Sequence, residues 1–185
     1  MINLQKGAKV DLSKEAPGVS KFTIGCGWDL AGGVSDAYDL DASILMLTEG
    51  KLVDAGKNTI YYNNLTSSCG SIVHTGDNLT GEGDGDDETI NINLATIPAA
   101  VDRVVVAVDI YQAAQKNQNF GQVKNAYVRL LDGSKEVLKY DLSEDYSTST
   151  AVEVCNIYRH NGTWKFEASG RGQVGGLSDV INSYS

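Results

Sequence analysis

Ten short segments rich in Val, Ile and Tyr, each cut off by Gly, Asn or Asp, constrain this chain more than any other feature. They span 22–27, 40–47, 59–62, 71–74, 89–94, 103–111, 126–131, 137–140, 151–158 and 164–168. Runs of that length and composition read as strands, and Glu49-Gly50-Lys51, Asp132-Gly133-Ser134 and Asn161-Gly162-Thr163 read as hairpin turns between them. Helical periodicity is confined to 112–117 and 177–184. The expected fold is all-β: an antiparallel β-sandwich of about ten short strands with one or two short helices. At 185 residues and 42% apolar composition, the chain suits one domain over 1–185 with a real core.

An internal echo refines this expectation. At a constant offset of 84, Phe22, Ile24 and Cys26 fall on Val106, Val108 and Ile110, while Ala42, Ile44 and Met46 fall on Ala126, Val128 and Leu130. The pattern predicts two related halves, each a β-meander, facing each other across one core. Only the first half carries the acidic insertion at 76–88.

That insertion holds the chemistry. From Asp77 to Glu88 lie six carboxylates in twelve residues, with no Lys or Arg and with glycines at 81, 83 and 85. Two unit charges ~5 Å apart repel by roughly 3 kcal/mol at an effective dielectric near ~20, so such density needs a compensating cation. Carboxylate, amide and carbonyl oxygens together suit calcium, which takes six to eight of them. Topology adds donors. In a meander, consecutive antiparallel strands place Asp29 and the pair Asp39 and Asp41 at one end of a sheet, and the return through 60–62 brings Asn63 and Asn64 there. The stretch 64–88 is expected to be mostly one long irregular connection folded back over this cluster. Asp29, Asp39, Asp41, Asn63, Asn64, Asp77, Asn78, Glu82, Asp84, Asp86, Asp87 and Glu88 are therefore the candidate ligands. His74 is expected to donate or accept a hydrogen bond that orders the loop.

Other chemistries fit less well. Asp84–Glu88 lacks the glycine and the distal glutamate of an EF-hand. Cys69 with His74 has no zinc-ligand spacing. The GxGxxG match at 170–175 has only ten residues after it, too few for a dinucleotide fold. A metal-dependent hydrolase using the same carboxylates is the alternative, but Gly, Asp and Asn chemistry suits binding better than catalysis. A net charge of −9 and a pI near 4.6 argue against nucleic acid and free oxyanions as ligands. Three dispersed cysteines and no signal-peptide pattern suggest a reduced, cytoplasmic setting, and no apolar run is long enough to insert in a membrane.

The motifs GWD at 27–29, YDLDAS at 38–43, IYYNN at 60–64 and above all GSIVHTGDNLTGEGDGDDE at 70–88 carry a resemblance. NFGQVKNAYVRLLD at 119–132, YDLSEDYST at 140–148 and IYRHNGTWKFEASGRG at 157–172 extend it over nearly the whole chain. The chain resembles the TerD family of calcium-binding tellurium-resistance and stress proteins. It departs at Ser149 and Asn156, where the family pattern has acids, and at Ala37. The resemblance implies a non-enzymatic β-sandwich with two calcium ions at one acidic edge. It further implies a cytoplasmic stress role exercised through protein partners, membrane-associated stress-complex components among them.

Overall fold

In a computed structural model, the structure describes residues 2–29, 38–54, 58–76, 85–142 and 146–185. Among these, fourteen strands form two sheets. The first sheet holds β1 (Ile2–Asn3), β3 (Lys21–Asp29), β7 (Ile72–His74), β8 (Glu88–Asn93), β10 (Lys124–Asp132) and β11 (Lys135–Asp141), in the order β1-β11-β10-β3-β8-β7. The second follows β2-β13-β12-β9-β4-β5, built from β2 (Lys9–Asp11), β13 (Thr163–Glu167), β12 (Ala151–His160), β9 (Arg103–Ile110), β4 (Leu40–Thr48) and β5 (Lys51–Leu52). There β6 (Thr59–Ile60) adds to β4 and β14 (Arg171–Gln173) to β12. All pairings are antiparallel except β1 with β11.

All ten expected strands are present, and the helices appear as α2 (Ala113–Lys116) and α3 (Leu177–Asn182); α1 (Leu12–Glu15) was not foreseen. The three turns form as read. Glu49 and Gly50, and again Asn161 and Gly162, both take positive φ, the geometry that matches the twist of a two-residue hairpin. The GxGxxG stretch becomes β14 and the turn into α3.

The meander expectation needs correction. β3 and β4 are not neighbours in one sheet: β3 pairs with β10, and β4 pairs with β9 over eight residues. The two halves interleave, each sending one echo strand to each sheet. The reason is visible in the connection. Ten residues separate Asp29 from Leu40, whereas hairpin loops run to about five, so this link crosses between the sheets. The ends of β3 and the start of β4 still meet, because Trp28 Nε1 donates to the Tyr38 carbonyl at 3.0 Å across the sandwich end. The described residues of 64–88 are mostly irregular, and within them the expected strand appears as β7, which pairs with β8.

The core lies between the sheets. Phe22, Ile24, Ile44, Ile90, Val106 and Leu130 are among its fully or nearly fully buried side chains. A second, smaller apolar cluster of Leu45, Leu47, Val105, Ala107 and Ala151 lies on the outer face of the second sheet, under α3.

Candidate metal centre

The site begins with register. Glu88 opens β8 as the pairing partner of Cys26, whose side chain faces the core, so Glu88 shares that inner face. It is 2% exposed. Its Oε2 accepts the Ala42 N–H at 2.7 Å, reaching from the first sheet to the open edge of β4 in the second. Its Oε1 has no hydrogen-bond partner. His74 Nδ1 accepts the Gly76 N–H at 3.2 Å, where the acidic insertion begins, and its Nε2 stands 3.6 Å from Glu88 Oε2.

Asp39 and Asp41 flank Leu40 at the start of β4, and both are buried. The Asp39 carbonyl accepts the Tyr111 N–H. Asp41 lies directly opposite Asp109 on β9, and side chains so paired have Cβ atoms ~5 Å apart on one face. Asp109 is 8% exposed, its Oδ2 accepts the Leu177 N–H at 3.2 Å, and its Oδ1 is buried without a partner. Burial pushes its carboxyl up to about 6; the Leu177 N–H opposes this, and the nearby charges of Glu88 and Asp39 add to it. Tyr62 borders the same group: burial raises its phenol, and Asp41 is the next contributor.

The remaining candidates scatter. Asp87 is half-buried, and its Oδ2 accepts the Trp28 N–H at 2.9 Å. Burial raises its carboxyl, against the pull of Trp28, with Asp86 and Asp29 adding repulsion. Asp29 is exposed and takes a hydrogen bond from Asn125 Nδ2. Asn64 closes a turn with Tyr61 and donates its Nδ2 to the Thr59 carbonyl at 2.7 Å; Asn63, in that turn, is exposed. Asp86 faces the other way. Its Oδ1 pairs with Arg129 Nε at 2.8 Å and accepts from the Tyr127 hydroxyl at 3.1 Å, on the outer face of β3. It fits there because residue 25 is glycine: a Cβ at Gly25 would stand 2.1 Å from Asp86 Oδ2. Asp77, Asn78, Glu82 and Asp84 lie outside the described residues.

Four carboxylates thus gather at one end of the sandwich: Asp39, Asp41, Glu88 and Asp109. Sequence reasoning missed Asp109. Its signal was a lone acid in the otherwise apolar run 104–110. Oxygen donors buried together, with Glu88 Oε1 and Asp109 Oδ1 orphaned, have the chemistry a hard divalent cation requires. Among the described residues no group of three His, Cys, Asp or Glu side chains is spaced to hold an ion by itself. A complete shell would have to draw further oxygens from elsewhere.

Relatives fit this architecture. A TerD domain model matches residues 1–184. The tellurium resistance protein TerD of Serratia marcescens is 48% identical over 185 residues, covering 99% of this chain and 96% of that protein. General stress protein 16U of Bacillus subtilis (strain 168) is 45% identical over 187 residues, again covering 99% and 96%. A crystal structure of a homologue of telluride resistance protein TerD from Streptomyces coelicolor A3(2) superposes with a TM-score of 0.75 at 22% identity, over 91% of this chain and 97% of that one. A domain match over nearly every residue and close relatives over full length leave one assignment: the chain belongs to the TerD family.

Proposed function

We propose that this protein is a cytoplasmic, calcium-binding stress-response protein that acts through calcium-dependent contacts with protein partners, not as an enzyme. The observation that carries the reading is Glu88: a carboxylate 2% exposed, one oxygen capping Ala42, the other without a partner, beside buried Asp39 and Asp41. Burying ionised carboxylates together is costly unless a cation compensates them. Two calcium ions would be held by Asp39, Asp41, Asp87 and Glu88 with oxygens from Asn63, Asn64, Asp77, Asn78, Glu82 and Asp84. Bound calcium supplies positive charge that lets these groups stay ionised and close together. The chain's own part is to fix the carboxylates: His74 orders the loop start through Gly76, and Trp28 holds Asp87. Calcium suits a crowded, irregular oxygen set better than magnesium does.

Tellurium resistance, which names several relatives, would then be indirect here, because an acidic carboxylate end repels an oxyanion. Calorimetric titration of the purified protein with calcium and with magnesium tests the reading. Two calcium ions bound, a clear preference over magnesium, and weaker binding in Glu88→Gln are expected. No calcium binding, or equal affinity for the two ions, overturns it. Capture of protein partners with calcium but not with chelator tests the second half.

A further inference from the structure

The carboxylate that sequence reasoning missed touches two things at once. Asp109 stands opposite Asp41 on the neighbouring strand, and it accepts the N–H of Leu177, the first residue of α3. That helix covers the apolar outer face of the second sheet through Val180, with Leu177, Ile181 and Tyr184 packed beside it. The approach is close: a Cβ at Gly176 would meet Asp109 Oδ2 at 3.3 Å. Tyr184 is tied at the other end, its N-terminal neighbours closing the helix while its carbonyl accepts the Leu52 N–H. Under α3, Asp109 Oδ1, Ser43 Oγ and Asn156 Oδ1 are all buried without hydrogen-bond partners. Orphaned polar atoms of this kind oppose closure, because lifting the helix would hydrate them. These atoms offset part of the apolar packing that holds α3 down, and Asp109 is the charged one among them.

We propose that Asp41 and Asp109 form a cation-binding carboxylate pair that couples occupancy of the acidic end to docking of the C-terminal helix. A divalent cation between them neutralises two like charges that otherwise repel across adjacent strands. Asp109 can then stay ionised and buried while it holds Leu177. Without the cation, the same repulsion favours hydration of Asp109, which opens the turn at 175–177 and loosens α3. The pair supplies two of the six to eight oxygens that calcium takes, and water can complete the shell on the solvent side. The inference rests on the calcium reading above and adds a residue and a moving part to it.

The test is amide hydrogen exchange of the full chain with calcium and with chelator, alongside calcium calorimetry on the same samples. Peptides covering 177–184 should exchange at least about fivefold more slowly with calcium. In Asp109→Asn, which keeps an oxygen for Leu177 but loses the charge, that difference should vanish. Leu177→Pro gives a second route if Asp109→Asn fails to fold. Proline is well tolerated at a first helical position and removes the N–H, while Leu177→Ala controls for the apolar contact that is lost with it; in Leu177→Pro, unlike Leu177→Ala, calcium should still bind but no longer slow exchange in 178–184. If the wild type binds no calcium, the calcium reading itself fails. If it binds calcium while α3 exchange is unchanged or faster, that reading stands and the coupling is overturned. A wild-type calcium effect on α3 in both Asp109→Asn and Leu177→Pro also overturns it.

Discussion

Asp86 and Glu88 are two residues apart in one acidic run, yet they face opposite problems. Asp86 lies on the outer face of the first sheet, its charge met by Arg129 at 2.8 Å and its oxygen by the Tyr127 hydroxyl. Arg129 reaches on to Glu136 at 3.1 Å, so the cation is shared. Glu88 points inward at the sandwich edge, where its nearest basic group is the His74 ring at 3.6 Å and one oxygen has no partner. The contrast teaches that carboxylate density does not identify ligands. The register of β8 on β3 decides which acids meet a protein cation and which still need one.

The contrast breaks most violently at Gly25. An alanine there would drive its Cβ into the Asp86 carboxylate, which Arg129 and Tyr127 hold in place. Overpacking and loss of a charge-assisted hydrogen bond together should cost about 3 kcal/mol. For a chain of this size that lowers the melting temperature by roughly 10 °C. Gly25→Ala combined with Asp86→Ala should cost less than the two single changes added, because the second removes the clash. Strict additivity in thermal melts would show that Asp86 does not sit where the strand register puts it.

Neutralising the two acids separately should give effects of opposite sign. Asp86→Asn weakens a partly buried ion pair and should cost about 1.5–3 kcal/mol equally with calcium and with chelator. Glu88→Gln keeps an acceptor for Ala42 but removes a charge from the crowded acidic end. In chelator it should be neutral or stabilising by about 1 kcal/mol. The calcium-dependent rise, about 2.7 kcal/mol in wild type at a hundredfold excess over Kd, should shrink in Glu88→Gln alone. Melting curves of the three proteins decide the matter: a normal calcium shift in Glu88→Gln together with a lost one in Asp86→Asn would exchange the roles assigned here.

Much of this was legible in the sequence, and the failures have physical causes. Alternation and turn residues located ten of the fourteen strands, because each side chain must choose between core and solvent. Two- and three-residue strands such as β1, β2 and β5 carry too little pattern to be read, and β14 hid inside a glycine-rich stretch. The meander was misread because hydrophobic alternation shows that a strand has a buried face, not which strand lies beside it. Asp109 was invisible for a related reason: its partner, Asp41, lies 68 residues away in sequence and only the pairing of β4 with β9 joins them. The ion pair of Asp86 is hidden for the same reason, because one-dimensional spacing cannot see that Arg129 arrives from β10.

The smallest expected effect leaves stability untouched and reads the two faces through their thiols. Cys26 is the pairing partner of Glu88 and fully buried; burial pushes its thiol well up, and the charge of Glu88 pushes it further. Cys69 is exposed in the turn before β7. Partial burial would raise its thiol, but hydrogen bonds with Ser67 and Ser71 outweigh that and hold it below the ordinary value. Since the thiolate is the nucleophile, an exposed and more acidic thiol reacts first. Mass spectrometry after brief alkylation near neutral pH should therefore find Cys69 modified and Cys26 intact. Calcium should not alter the Cys69 rate, because burial and the hydrogen bonds of Ser67 and Ser71 dominate its shift. It should slow the residual Cys26 rate severalfold, because Cys26 reacts only when the strand edge around Glu88 opens. Equal slowing at both thiols would mean that calcium tightens the whole molecule rather than its acidic end, and unchanged Cys26 labelling would mean that the cation does not act at Glu88.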